Sequence, residues 1–94
     1  MEIVLKENGA KGYVMALVND KRAGAMTYSV AGEHLIIIDQ TEVGAEHKSK
    51  DIGRQLLYKI VDMAMDENMK IIPLCPFAAA MFKRSEDIKD VLKL

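Results

Sequence analysis

The sequence predicts a mixed α+β fold, an antiparallel β-meander running into a βαβ unit and closing with short helices. Three observations carry this. Short apolar segments alternate with closely spaced turn signals through the first half, as in "ENGAKG", "NDKR" and "AGE", which is the pattern of hairpin-linked strands. From Ile52 onward the apolar period changes to a helical one, with Ile52, Leu56, Ile60 and Met63 on one stripe. The strand-like "KIIPLC" then follows that helix, so the strands on either side of it are expected to run parallel, joined by a right-handed crossover.

In chain order, Ile3–Leu5 reads as a first strand ended by the Asn8-Gly9 turn, and Tyr13–Val18 as a second. Ala23–Val30 makes a third, and His34–Val43 a fourth whose middle is apolar on both faces, as in a central strand. The helix is expected from Ile52 to between Glu67 and Met69, and a fifth strand over Lys70–Cys75. Phe77–Arg84 reads as a short helix and Ser85–Leu94 as another, with Ser85 as its N-cap. Pro73 has no N–H for a ladder. It belongs either on an outer edge or at a point where strands four and five part, and such a gap at the C-terminal ends of the strands would admit a ligand.

Composition narrows the function classes. The 94 residues fit one domain spanning 1–94, with 50% apolar and 29% charged residues and a formal net charge of −1, so no global field draws the chain to nucleic acid or an anionic membrane. The N-terminal segment lacks the basic start and long apolar run of a signal peptide, and a cytoplasmic location is expected. Cys75 is the one cysteine, which excludes an intrachain disulfide and a thiolate-built zinc site. The mixed charges of Lys83, Arg84, Glu86, Asp87, Lys89, Asp90 and Lys93 describe a solvated surface.

The segment "EHKSKDIGR" (Glu46–Arg54) carries the chemistry. The first N–H groups of a helix lack internal partners and attract anions. Here they follow His47, Lys48 and Lys50, with Arg54 in the first turn. Two readings fit: a phosphate cradle, or a solvated loop with Ser49 or Asp51 as helix N-cap.

The order of elements, with this loop, resembles the GNAT-type, acyl-CoA-dependent N-acetyltransferases. Their cofactor loop, Arg/Gln-x-x-Gly-x-Gly/Ala at the start of the main helix, falls on Lys48, Asp51 and Gly53. The minimal, stand-alone members are similar in "TEV" before the loop and "PLCPF" after the helix, here Thr41–Val43 and Pro73–Phe77. The specific resemblance runs from Thr41 to Phe82. It implies transfer of an acyl group, acetyl foremost, from acetyl-CoA to an amine, with coenzyme A held by His47, Lys48, Lys50, Asp51, Ile52, Gly53 and Arg54. It further implies that the backbone N–H near Val43 bonds the thioester oxygen.

Glu42 is the candidate general base. Cys75, on the opposite side of the expected slot, is a candidate acid or acyl carrier, or else a small buried side chain. Two departures stand out: Asp51 replaces the first glycine of the loop, with Asp expected to turn outward or to cap the helix, and Met81 sits where the family often has a tyrosine acid. With only "NGAK" expected between the first two strands, the acceptor side should be open, which suits a protein amine or a small polyamine. The alternative is a module of the same fold that binds CoA or a protein without turnover.

Overall fold

The structure is a computed structural model and describes residues 1–93, with side chains described at all of these except 48–50. Five strands, β1 (Glu2–Asn8), β2 (Lys11–Val18), β3 (Lys21–Val30), β4 (Leu35–Val43) and β5 (Lys70–Pro73), form one sheet in sequence order. The first three junctions are antiparallel, and β4 and β5 run parallel. Helix α1 (Ile52–Asp66) connects β4 to β5, and α2 (Pro76–Arg84) follows. The expected α+β architecture is therefore present, and the departures are local.

The hairpins are tighter than the sequence suggests. Gly9, with φ of 65°, and Ala10 alone link β1 to β2, and Asn19 and Asp20, with φ of 53° and 63°, alone link β2 to β3. Positive φ at the first or at both central positions matches the right-handed strand twist, so the strands pair up to the turn. Flanking residues that read as turn, Lys11 and Lys21 among them, are thus strand. At the other end, the helix expected over Ser85–Leu94 is a 3₁₀ segment over Glu86–Val91. Ser85 precedes it without a side-chain cap bond. The reason is competition: Leu92 bridges Ile71 in parallel and Lys93 N–H donates to the Ile71 carbonyl at 2.8 Å. The outer edge of β5 therefore draws the chain out of a helix. Leu94 lies outside the described residues.

One sheet face is covered. Val14, Met26, Tyr28, Ile36 and Ile38 meet Ile52, Leu56, Leu57, Ile60, Val61 and Ala64 of α1 in a common core. Burying each larger aliphatic side chain contributes roughly 1.5–3 kcal/mol. Of the residues alternating to the other face, Tyr13, Met15, Leu17 and Ile37 are not buried, and the small Ala25 is. The described residues include no helix long and apolar enough to cross a membrane.

Tyr28 is the largest fully buried side chain. Its ring lies over Gly12, where a Cβ would come within 2.3 Å of the ring carbon Cζ, and its hydroxyl donates to Glu7 Oε1 at 2.7 Å. Burial first, and then the Glu7 carboxylate, push its pKa above the usual tyrosine value. In the unfolded chain this phenol ionises near pH 10, so the proton is held more tightly in the folded state. The stability it contributes is complete below about pH 10 and is lost as the pH rises toward the folded pKa. Thermal unfolding of Tyr28→Phe is expected to be weaker than wild type by about 1 kcal/mol at neutral pH, for one lost hydrogen bond. Above about pH 10 the wild type should lose stability more steeply than the variant, and parallel pH profiles would contradict this account.

Candidate active site

Parallel pairing of β4 and β5 ends at Ile38↔Pro73. Leu74 N–H continues the ladder onto the Ile38 carbonyl at 3.1 Å and Cys75 N–H turns back onto the same oxygen at 3.2 Å, while Pro76, the next residue in phase to donate to β4, has no N–H. In the same place β4 gains a residue against β3: Thr27 faces Gln40 and Tyr28 faces Ile38, leaving Asp39 extra. Such a bulge shifts the alternation of side chains. Thr41 and Val43 consequently share the helix-covered face with Met26 and Gly24, while Glu42 pairs with Ala25 on the open face.

Five residues of β4 thus run on past β5 with one edge unpaired by it. Gly44 N–H donates to the Ala23 carbonyl at 2.9 Å, on the β3 side. Strand alternation turns the preceding N–H, that of Val43, away from β3 toward the free edge.

A cleft of about 870 Å³ opens there, lined by the ends of β3 and β4, the start of α1 and one side of α2. Arg22, Arg54 and Arg84 line it against Glu42 and Asp51. This leaves one net positive charge on the described wall. Glu42 is exposed, with Arg22 at 3.9 Å. Asp51 stands at the N-cap position of α1 in the left-handed region (φ 60°, ψ 27°) and makes no side-chain cap bond. Its carboxylate leans to Arg54 at 3.8 Å. The position thus demands the backbone conformation glycine gives freely and aspartate adopts at modest cost. Arg54 also lies over the Tyr58 ring at 5.1 Å.

Gly53 serves a different purpose from its neighbour. A Cβ there would come within 2.5 Å of the Phe77 ring. Its missing side chain is what seats α2 against the first turn of α1 and closes one wall of the cleft.

The expected site residues divide into groups. Glu42, Val43, Asp51, Ile52, Gly53 and Arg54 share the cleft. His47 does not line it: its ring is half-buried beside Gly44, Nε2 is 3.5 Å from Glu46 and Nδ1 has no partner among the described residues. Lys48 and Lys50 lie in a 3₁₀ turn, Ala45–Lys50, with their side chains outside the described residues. Cys75 is buried and packs in the core; its Sγ is 3.0 Å from Thr41 Oγ1. Thr41 lines the cleft and Cys75 does not. Met81 lines the wall where the resemblance leads one to look for a tyrosine.

Arg22, Arg84 and Phe77 on the wall were not singled out as site residues from the sequence. Arg22 belongs to a segment that reads as a turn, and Arg84 to a helix end with mixed charges. For Phe77, the spacing of "PLCPF" from the helix was the available signal. Among the described residues no cluster of three or more His, Cys, Asp or Glu is placed to hold a metal.

The sequence profile of the GCN5-related N-acetyl-transferase family matches residues 12–91. The solution structure of a GCN5-like protein from Staphylococcus aureus is similar over 96% of this chain and 87% of its own length, at 30% identity and a TM-score of 0.71. Ribosomal-protein-alanine N-acetyltransferase from Brucella melitensis biovar Abortus superposes with a TM-score of 0.70 at 18% identity, over 82% of this chain and 62% of its own. Tetrahymena GCN5 does so with 0.67 at 18% identity, over 82% of this chain and 47% of its own. This chain therefore spans less than two thirds of either of these larger proteins, and the likeness to them is one of fold. No protein of curated function matches the sequence. With the family profile covering most of the chain, and with β4 and β5 parting beside the N-terminus of the connecting helix, the chain belongs to the GCN5-related N-acetyltransferases, a family of acyl-CoA-dependent acyltransferases.

Proposed function

We propose that this protein transfers an acetyl group from acetyl-CoA to a primary amine. The observation that carries the reading is the free edge of β4 past Ile38, facing a cleft whose other wall is the N-terminal turn of α1. The fit is chemical: the N–H groups at a helix N-terminus, which lack partners within the helix, and an excess of arginine suit the pyrophosphate. The unpaired β-edge suits an extended amide-bearing arm. Acetyl-CoA supplies an activated acyl group on a thiol leaving group.

The protein's contribution is to hold and orient. The N–H groups of Ile52, Gly53 and Arg54 take the phosphates. Val43 N–H donates to the thioester oxygen, where negative charge develops as the amine adds. Glu42, held beside Arg22, takes the proton that the attacking amine gives up. A carbon–nitrogen bond forms, the carbon–sulfur bond breaks, and the thiolate takes a proton from water in the open cleft, since Met81 has none to give. Thr41 and Cys75 brace the parting of the strands, and Cys75 carries no acyl group. The open face beside Glu42 suits an accessible acceptor, a protein amine or a small polyamine.

A second reading, a domain that binds CoA without efficient turnover, is favoured by Met81 at the wall position of the family's acid and by the Asp51 carboxylate beside the cradle. Turnover separates the two. Thiol release from acetyl-CoA in the presence of a polyamine or a lysine peptide is expected for the wild type. Glu42→Gln should lower it by about 10²-fold or more with CoA affinity nearly unchanged, the loss expected for a general base. Cys75→Ala should retain activity and lose roughly 1–2 kcal/mol of stability. Clear CoA binding with no transfer to any amine would favour the binding domain, and an acetyl adduct on Cys75 would overturn its assignment as a brace.

Asp51 gives an independent test of the cradle. Asp51→Gly removes a negative charge from its wall and frees the left-handed backbone position. Calorimetric affinity for CoA should rise by about 1 kcal/mol, the size of one charge pair about 4 Å apart at the dielectric of water. Unchanged affinity would place the phosphates elsewhere.

A further inference from the structure

The outer edge of β1 lies at the far side of the sheet from the cleft, because the strand order is β1-β2-β3-β4-β5. Among the described residues β1 pairs with β2 alone, so a row of its N–H and C=O groups faces outward. Native sheets blunt such edges with inward charges, proline or bulges. None interrupts Ile3-Val4-Leu5 here, and all three are only half-buried.

The phase of that edge follows from the hairpin. Asn8↔Lys11 closes a two-residue turn, and the closing pair of such a turn is hydrogen-bonded. Bonded and non-bonded pairs then alternate. Glu2, Val4 and Lys6 therefore bond to β2, and Ile3, Leu5 and Glu7 present their N–H and C=O outward. An antiparallel partner of the same sequence can bond to that edge only where outward residues meet outward residues.

Centring the two-fold on Val4 satisfies this. Ile3 then faces Leu5 of the second copy and Val4 faces its own counterpart. Glu2 faces Lys6, once on each side of the axis. Centring on Leu5 instead sets Ile3 against Glu7 and Val4 against Lys6, apolar against charge. Glu2 and Lys6 are both exposed and, among the described residues, neither has an ion-pair partner within the chain.

From this coincidence of hydrogen-bond phase, apolar contact and charge we propose that β1 pairs antiparallel with β1 of a second copy about Val4. The result is a dimer with a continuous ten-stranded sheet and both clefts free. Opposite charges across an antiparallel pair stabilise it and like charges destabilise it, and the symmetry makes each substitution act at two places.

Light scattering and sedimentation across a wide concentration range test this. The wild type is expected to dimerise. Glu2→Lys and Lys6→Glu should each raise the dimer dissociation constant roughly tenfold or more, and the double variant carrying both changes should restore it. Circular dichroism checks that each variant is folded. Amide exchange at Ile3 and Leu5 should slow as the wild type is concentrated. A monomeric wild type up to millimolar concentration, a dimer indifferent to the single changes, a double variant that does not recover, or unprotected Ile3 and Leu5 amides in the dimer would each overturn the proposal.

Discussion

The Ile38 carbonyl is the point on which the cleft half of the structure turns. It receives two N–H groups: that of Leu74, in phase with the Lys70 N–H that bonds the His34 carbonyl, and that of Cys75, which turns back onto the same oxygen, while Pro76, next in phase to donate to β4, has no N–H. A strand that ends its pairing this way must leave its neighbour, and β4 then runs on with a free edge to Val43. The extra residue at Asp39 acts in the same place on the other side of β4, exchanging the faces of the residues that follow. Without it, Glu42 would point into the helix-covered face and Thr41 out of it. The proline and the bulge together place a backbone donor and a carboxylate at the same gap.

The second constraint is the seat of α1. Asp51 and Gly53 occupy the two glycine-like positions of the loop, and the structure gives them unlike duties. At Asp51 the demand is conformational, a left-handed residue before the helix, and aspartate meets it. At Gly53 the demand is steric, since the Phe77 ring occupies the space a Cβ would take. This explains why a side chain is accommodated at the first position and would displace α2 at the second. The first turn of α1 is thereby fixed from both ends, by backbone geometry and by an aromatic contact, and Ile52, Gly53 and Arg54 line the cleft.

Most of the fold was legible from residue pattern, because each element has a strong local signal: the change from period 2 to period 3.6 at Ile52, the turn residues Asn8-Gly9 and Asn19-Asp20, and Pro73. What was not legible came from long-range contact. Nothing local to Ser85–Leu92 shows that the β5 edge will take up Leu92 and Lys93 and leave a 3₁₀ segment instead of a helix. The bulge at Asp39 is likewise invisible in an apolar run, so Thr41 had no evident role from sequence. The positions of Ile52, Gly53 and Arg54 on the cleft wall were readable from helix-terminal chemistry and from the resemblance. Arg22 and Arg84 were not, since their approach to the cleft depends on the packing of β3 and α2. His47, expected from its charge type to help hold phosphate, has its ring beside Gly44 and Glu46.

The free edge of β4 and the first turn of α1 are proposed to form one acyl-CoA site. The most direct measurement is an acetyl-CoA titration followed at every backbone amide by NMR. The largest shifts are expected at the amides from Lys48 to Leu56 together with Val43, saturating with a single affinity. Saturating shifts confined to the open sheet face or to the β1–β2 hairpin, with those amides unmoved, would contradict this assignment.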